Sequence, residues 1–178
     1  MNTIKIVATI ASVAFIGVAT FVWSGLYPIG ADMPHYRVTH WLLETLRERA
    51  IDRAASEITL PQLDDASMLL SGGADYNDMC ASCHLRPGKR ESDFSVGLYP
   101  SPPDLTVRSS TDRGGEDEAR RQFWIIKHGI KASGMPAWGK THDDDRIWAM
   151  VAFLRQLPEL SPEQYQILTA RGEAPMPM

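Results

Sequence analysis

The dominant pattern in the chain is an uncharged run from Ile6 to Leu26, 21 residues long. At about 1.5 Å rise per residue, a helix of that length matches the roughly 30 Å hydrocarbon thickness of a bilayer. The run predicts a transmembrane helix, with Trp23 and Tyr27 where interfacial aromatics gather. A cleaved signal peptide is the alternative, because Lys5 followed by an apolar stretch also has that form. The stretch is longer than the usual apolar region of about 7 to 15 residues, and Ile29-Gly30-Ala31 is a poor cleavage site, so an uncleaved anchor is the expectation. Lys5 precedes the span and few basic residues follow it closely beyond Arg37, which places the N-terminus in the cytoplasm and the rest in the periplasm.

Beyond the turn-rich stretch Tyr27 to Pro34, periodicity turns helical. Val38 to Ile58 carries apolar residues at Leu43, Leu46, Ala50, Ala54 and Ile58, the spacing of one helix face. The other face mixes Glu44, Arg47, Glu48, Arg49, Asp52, Arg53 and Glu57 and reads as solvated, with docking to a membrane partner as its alternative use. Thr59 to Asp64, with Pro61, reads as a linker. Asp65 is a good N-cap for a helix through Met68, Leu69, Leu70 and Tyr76. His84 to Gly115 is rich in Pro, Gly and Ser without sustained period and reads as loop. Glu116 to His128 is a helix punctuated by Gly129, and Thr141 to Asp144 reads as a capping box before a helix striped by Ile147, Met150, Val151 and Leu154. Pro158 stops that helix; Ser161-Pro162-Glu163-Gln164 caps a short last one, and Gly172 to Met178 reads as a frayed tail.

No segment alternates as a strand does, so the fold class is all-α: one transmembrane helix, an amphipathic juxtamembrane helix, and a helical domain. The expected boundaries are 1–27 for the anchor, 28–64 for the juxtamembrane helix and linker, 65–160 for the main domain, and 161–178 for the last helix and tail. A formal net charge of -4 provides no basic excess, which argues against a nucleic-acid partner. A domain of about 95 residues with short helices and a long irregular middle is short of apolar layers. A large apolar prosthetic group would supply the missing core.

The chemistry is carried by Cys80-Ala81-Ser82-Cys83-His84, a C-x-x-C-H sequence. Its two thiols suit thioether bonds to the vinyl groups of one covalently held haem c, and its histidine suits an axial iron position on the same turn of chain. A structural zinc would need about four Cys or His ligands, and the chain has 2 cysteines. A thioredoxin-like pair expects a βαβ context, and a plain disulfide makes no use of the histidine. For the opposite axial position, Met135 stands in the Gly134-Met135-Pro136 turn between two helices, 51 residues after His84. A thioether there favours a low-spin, readily reduced iron. His128 and His142 are the rival ligands, although each also reads as a surface or capping histidine, and Met68 and Met150 read as core.

With these residues in place, Asp65 to Leu160 resembles the class I cytochrome c family. Gly72, Tyr76 and Cys80 fall at the family spacing of glycine, aromatic and cysteine on the first helix, and Trp148 looks like the partner aromatic region on the last. The resemblance implies that Gly72 lets those two helices cross closely. It implies that Pro103 and Leu105 form the Pro-x-Leu whose proline carbonyl orients the axial imidazole. Met135 then matches the axial methionine, and Trp138 an aromatic packed near the haem edge. The N-terminal third departs from small soluble members and looks like a membrane-anchored monohaem variant from a Gram-negative bacterium, in the inner membrane with its haem domain periplasmic.

With His84 and Met135 on both axial positions, no site is open to a substrate, so the expected activity is one-electron transfer in a respiratory chain and not catalysis. Residues 65–160 hold 14 acidic and 12 basic side chains, a balance of -2 that defines no steering charge. Partners are then expected to be membrane-bound redox proteins, together with inner-membrane lipid, and no small-molecule substrate. Two other classes stand beside this one: a haem sensor or peroxidase-like protein with an open sixth position, and an anchored electron-entry subunit of a larger complex.

Overall fold

The computed structural model describes residues 2–108 and 115–170. They fall into two compact units that divide between Tyr36 and Arg37. The first unit holds α1, Thr3–Ser24, a helix long and apolar enough to cross a membrane and without a buried residue. Gly25 ends it in the left-handed conformation at φ 66°, where a residue without Cβ is favoured. Past that turn the Tyr27 ring meets Tyr36 edge-on, and its hydroxyl lies 2.8 Å from His35 Nδ1.

The described residues of the second unit form helices joined by irregular segments, with no strand. It comprises α2 (Arg37–Ala55), α3 (Ala66–Met79), α4 (Ala81–His84), α5 (Asp93–Gly97), α6 (Gly115–His128), α7 (Asp144–Gln156) and α8 (Pro162–Thr169). Asp65 caps α3, its side chain accepting from Ser67 N at 2.8 Å. Both halves of the Ser161 and Gln164 capping box form at α8. At α7 the cap is Asp143, which accepts from Arg146 N, while the Thr141 hydroxyl turns to His142 Nδ1 at 2.8 Å. The reading of Thr141 as cap is therefore corrected: a carboxylate two residues nearer the helix outcompetes it. The expected tail, Gly172 to Met178, lies outside the described residues.

The core forms around α7, where every residue from Ile147 to Leu154 is buried. A helix apolar on all sides needs neighbours on all sides, and α3 and α6 both pack on it. Each fully buried large side chain among Tyr76, Ile147, Met150 and Phe153 contributes about 1.5–3 kcal/mol. Gly72 makes the α3 crossing possible, because a Cβ there would meet the Ala149 carbonyl oxygen at 2.0 Å. Trp148 faces elsewhere, stacked on Phe123 of α6 with centroids 4.0 Å apart, so the residue facing Gly72 is Ala149. The buried Asp75 carboxylate receives Arg146 Nε at 2.5 Å and Nη2 at 2.8 Å, a second tie between α3 and α7. From α8, Tyr165 enters the same core edge-on to Tyr76 and donates to Asn77 Oδ1 at 3.1 Å.

The expected buried face of α2 is corrected as well. Ile51 and Ala55 are buried and Ala54 and Ile58 half-buried, with Ile58 against the core, whereas Leu43, Leu46 and Ala50 are exposed. The reason is electrostatic. Glu48 and Asp52, read from sequence as solvated, both receive the guanidinium of Arg121, at 2.6 Å for Glu48. That pairing turns the mixed-charge side of α2 toward α6 and leaves the leucines outside.

Candidate functional site

The site starts on α3 and its continuation. Cys80 closes α3 and, with φ -114°, opens the single turn α4 that carries Cys83 and His84. The Cys83 and His84 amides both bond back to Cys80 O, at 3.0 and 2.8 Å, so the motif residues share one turn of helix. Both thiols are free and half-buried. Burial, with Asp75 and Cys83 adding to it, pushes the Cys80 thiol up to about 12. Among the described residues no group of three His, Cys, Asp or Glu gathers to hold a metal.

The chain leaves α4 through Leu85, whose φ of 68° and ψ of -179° lie in a region side chains avoid. Tyr76 holds it there. Its buried hydroxyl donates to Leu85 O at 2.7 Å and lies 3.2 Å from His84 O, and burial raises its ionisation far above the ordinary phenol. Nineteen residues after His84 the chain returns: Pro103 O lies 2.9 Å from His84 Nδ1, and Leu105 N donates to His84 O at 3.2 Å. A carbonyl can only accept, so Nδ1 carries the proton and Nε2 keeps the lone pair. Burial lowers the His84 imidazole below its ordinary value, against the Pro103 bond that raises it, which favours the neutral ring a metal requires. Asp104 Oδ1 accepts from the Thr106 amide and hydroxyl at 2.9 and 2.7 Å and pins the turn.

Met135 sits in a second closed loop. Ile130 N donates to Met135 O at 3.2 Å, and Ser133 Oγ accepts from Met135 N at 3.1 Å while donating to Ile130 O. Gly129, at φ 65°, cradles that loop: a Cβ there would stand 2.7 Å from Met135 O. A Cβ on Gly134 would stand 2.9 Å from the Leu98 side chain, which belongs to the stretch returning to Pro103. Met79, Cys80, Leu105, Met135 and Trp138 all pack, half-buried, on the one core cluster. Trp138 opens a short 3-10 turn and meets the His142 ring edge-on at 5.4 Å. The rival histidines differ: His128 is exposed beside Trp124 at the end of α6, whereas His142 is half-buried against Trp138, with its Nε2 buried and without a hydrogen-bond partner.

These residues fit a covalently attached haem. Two neighbouring thiols, an imidazole whose free nitrogen is Nε2, a thioether on a second loop and apolar side chains from Leu105 and Trp138 make up its chemistry. Sequence reasoning missed Ser133, Leu98, Asp104 and the hydroxyl role of Tyr76. It also missed α5, whose Ser92 and Ser95 form a capping box and whose Ser92 hydroxyl donates to Ser82 O in the cysteine motif at 2.5 Å. A Ser-x-x-Ser pair was the available signal, too common to stand out alone. A family model described as "Cytochrome C oxidase, cbb3-type, subunit III" matches residues 67–154, which covers every residue of this site. No curated protein and no solved structure matches the chain.

Proposed function

We propose that this chain, which carries a monohaem class I cytochrome c domain over residues 67–154, is a membrane-anchored one-electron carrier of the bacterial periplasm. When bound, the haem supplies a single-electron couple without proton or group transfer. Cys80 and Cys83 would hold it through thioethers, His84 Nε2 and Met135 would ligate its iron, and Leu105 and Trp138 would exclude water around it. Pro103 sets the imidazole orientation, the role of a partner behind a metal ligand. The α1 helix anchors the domain to the inner membrane, and the partners are membrane-bound redox proteins.

The observation that carries this reading is the 2.9 Å contact between His84 Nδ1 and Pro103 O, which fixes the tautomer that an iron ligand needs. The test is spectroscopic. The purified ferric protein should be low-spin, with the weak far-red sulfur-to-iron band of methionine ligation, and its haem should survive acid acetone. Met135→Ala should remove that band and admit carbon monoxide, whereas His128→Ala and His142→Ala should change neither. Ready binding of carbon monoxide by the unsubstituted protein would refute the closed site and favour a sensor or peroxidase-like haem.

The description of the matching family favours a second arrangement of the same chemistry, in which the chain is a fixed electron-entry subunit of a terminal oxidase. Purification in mild detergent separates the two. A free carrier leaves the membrane alone, and a subunit leaves with its oxidase.

A further inference from the structure

The α2 helix has two different surroundings along its length. Its C-terminal half is fastened to α6 by buried Ile51 and Ala55 and by Arg121, which reaches both Glu48 and Asp52. Its N-terminal half leaves Val38 74%, Trp41 64%, Leu42 57% and Leu46 64% exposed. At about 100° per residue those four positions share one face, and Arg49 and Arg53, also exposed, continue the same line toward the C-terminus. The acidic side chains are engaged elsewhere: Glu44 faces His40 and Arg47, and Glu48 faces Arg47 and Arg121. An aromatic and three aliphatic side chains in one exposed patch mark a surface that is covered in use.

The sequence says what is within reach. Between the end of α1 at Ser24 and the start of α2 at Arg37 lie 12 residues, Gly25 to Tyr36. Fully extended they would span roughly 40 Å, at about 3.3–3.6 Å per residue, and the contacts of Tyr27 with His35 and Tyr36 fold the segment back on itself. A helix tied that closely to a bilayer anchor, apolar with a tryptophan on one face and arginines further along it, has the make-up of an interfacial helix. We infer that the N-terminal half of α2 lies in the lipid headgroup boundary, with Val38, Trp41, Leu42 and Leu46 toward the acyl chains and Arg49 and Arg53 toward anionic headgroups. The inference rests on α1 being a membrane anchor. Because the other half of α2 is locked to α6, immersion gives the haem domain a set orientation on the membrane. It docks with partners at one height, and does not swing on a loose tether.

Depth measurement on the full haem-loaded chain tests this. Single nitroxide labels at Leu42→Cys, Val13→Cys and Glu163→Cys are compared in vesicles of phosphatidylcholine and phosphatidylglycerol. The unsubstituted protein, its thiols consumed by attachment, is the blank. The Leu42 label should collide with dissolved oxygen several-fold more, relative to a water-soluble nickel chelate, than the Glu163 label on exposed α8. Omitting phosphatidylglycerol should draw it toward the chelate. If the Val13 label is immersed while the Leu42 label meets the chelate as freely as the Glu163 label, the inference is overturned and the anchor stands. A Leu42 label shielded from both oxygen and chelate would mean that protein covers the face, a second helix or another subunit, and would also overturn it. If the Val13 label itself is open to the chelate, the anchor has failed and the inference goes with it.

Discussion

Gly72 of α3 and Ala149 of α7 meet backbone to backbone, so close that a Cβ on Gly72 would stand 2.0 Å from the Ala149 carbonyl oxygen. Backbone cannot swing aside as a side-chain tip can, so an added methyl must push the two helices apart. Gly72→Ala should lose about 3 kcal/mol or more, although alanine gains up to about 1 kcal/mol in helix preference. Gly97→Ala, where a Cβ meets nothing within 4 Å, should stay within about 0.5 kcal/mol of the parent. Denaturant unfolding of the haem-loaded proteins compares them.

The turn that presents His84 depends on Tyr76. Its hydroxyl is the donor that satisfies Leu85 O, in a backbone conformation that leucine adopts only under constraint. Tyr76→Phe keeps the ring against Phe153, 5.5 Å away between centroids, and removes only the bond. A buried carbonyl left without a donor costs about 1–3 kcal/mol. Amide exchange should quicken around Leu85 and Leu105, whose amide bonds to His84 O, and stay unchanged in α6. Equal exchange in the parent and Tyr76→Phe would show that Tyr76 only fills space.

Much of this was readable in advance because it follows short-range rules. The α3 cap at Asp65, the α8 capping box and the end of α6 at Gly129 are set by residues within four positions of each other. The glycine, aromatic and cysteine spacing on α3 placed the helix crossing and the cysteine turn. What escaped depends on partners far along the chain. The buried face of α2 is chosen by Arg121, 69 residues after Asp52, and no periodicity in α2 announces that pairing. The Met135 loop likewise rests on Gly129 and Leu98, contacts made by closure and not by pattern.

The pair of Asp75 and Arg146 should respond unequally to loss of either partner. Asp75 is 4% exposed and Arg146 lies at the surface with its side chain 42% exposed. Arg146→Ala deprives a buried carboxylate of its guanidinium, expected to cost about 2–4 kcal/mol, toward the low end for a half-exposed partner. Asp75→Asn leaves an arginine free to take water and should cost less. Unfolding free energies in the reverse order would show that the guanidinium, not the carboxylate, is the group that needs its partner.

Acid should release α2 from α6. Partial burial pushes the Glu48 carboxyl up, but the Arg47 and Arg121 guanidiniums outweigh it and hold the group below its ordinary value. A carboxyl lowered in the folded state contributes stability that is complete above its unfolded pKa of about 4.3 and is lost as pH falls through the lower folded value. Protease sensitivity within α2 should therefore stay flat from neutral pH down to about 5 and rise below about 4. Glu48→Gln should show the raised sensitivity already at neutral pH, with no further rise from this group in acid. A flat profile in the parent would show that the Glu48 charge has no part in the attachment.

The last prediction separates the two glycines around Met135, which differ in what surrounds them. At Gly129 a Cβ would lie 2.7 Å from Met135 O, 2.7 Å from Pro136 C and 2.8 Å from Ala137 N, all backbone, and φ is already 65°. An alanine there is strained in its own conformation and also displaces the segment that carries the proposed thioether ligand. At Gly134 the neighbours are the two methyl tips of Leu98 at 2.9 Å, and a half-buried leucine tip can rotate. Both positions are next to the same loop, so a merely local packing defect would be felt alike from either. The backbone geometry instead predicts that ferric Gly129→Ala loses much of its far-red sulfur-to-iron band and gains carbon monoxide binding. Gly134→Ala should keep the band and the potential within the scatter of the parent. Ser133→Ala, which removes the acceptor of the Met135 amide, should fall between them. If Gly129→Ala folds and keeps an unaltered band, the approach of Gly129 to the Met135 backbone has no part in holding the ligand.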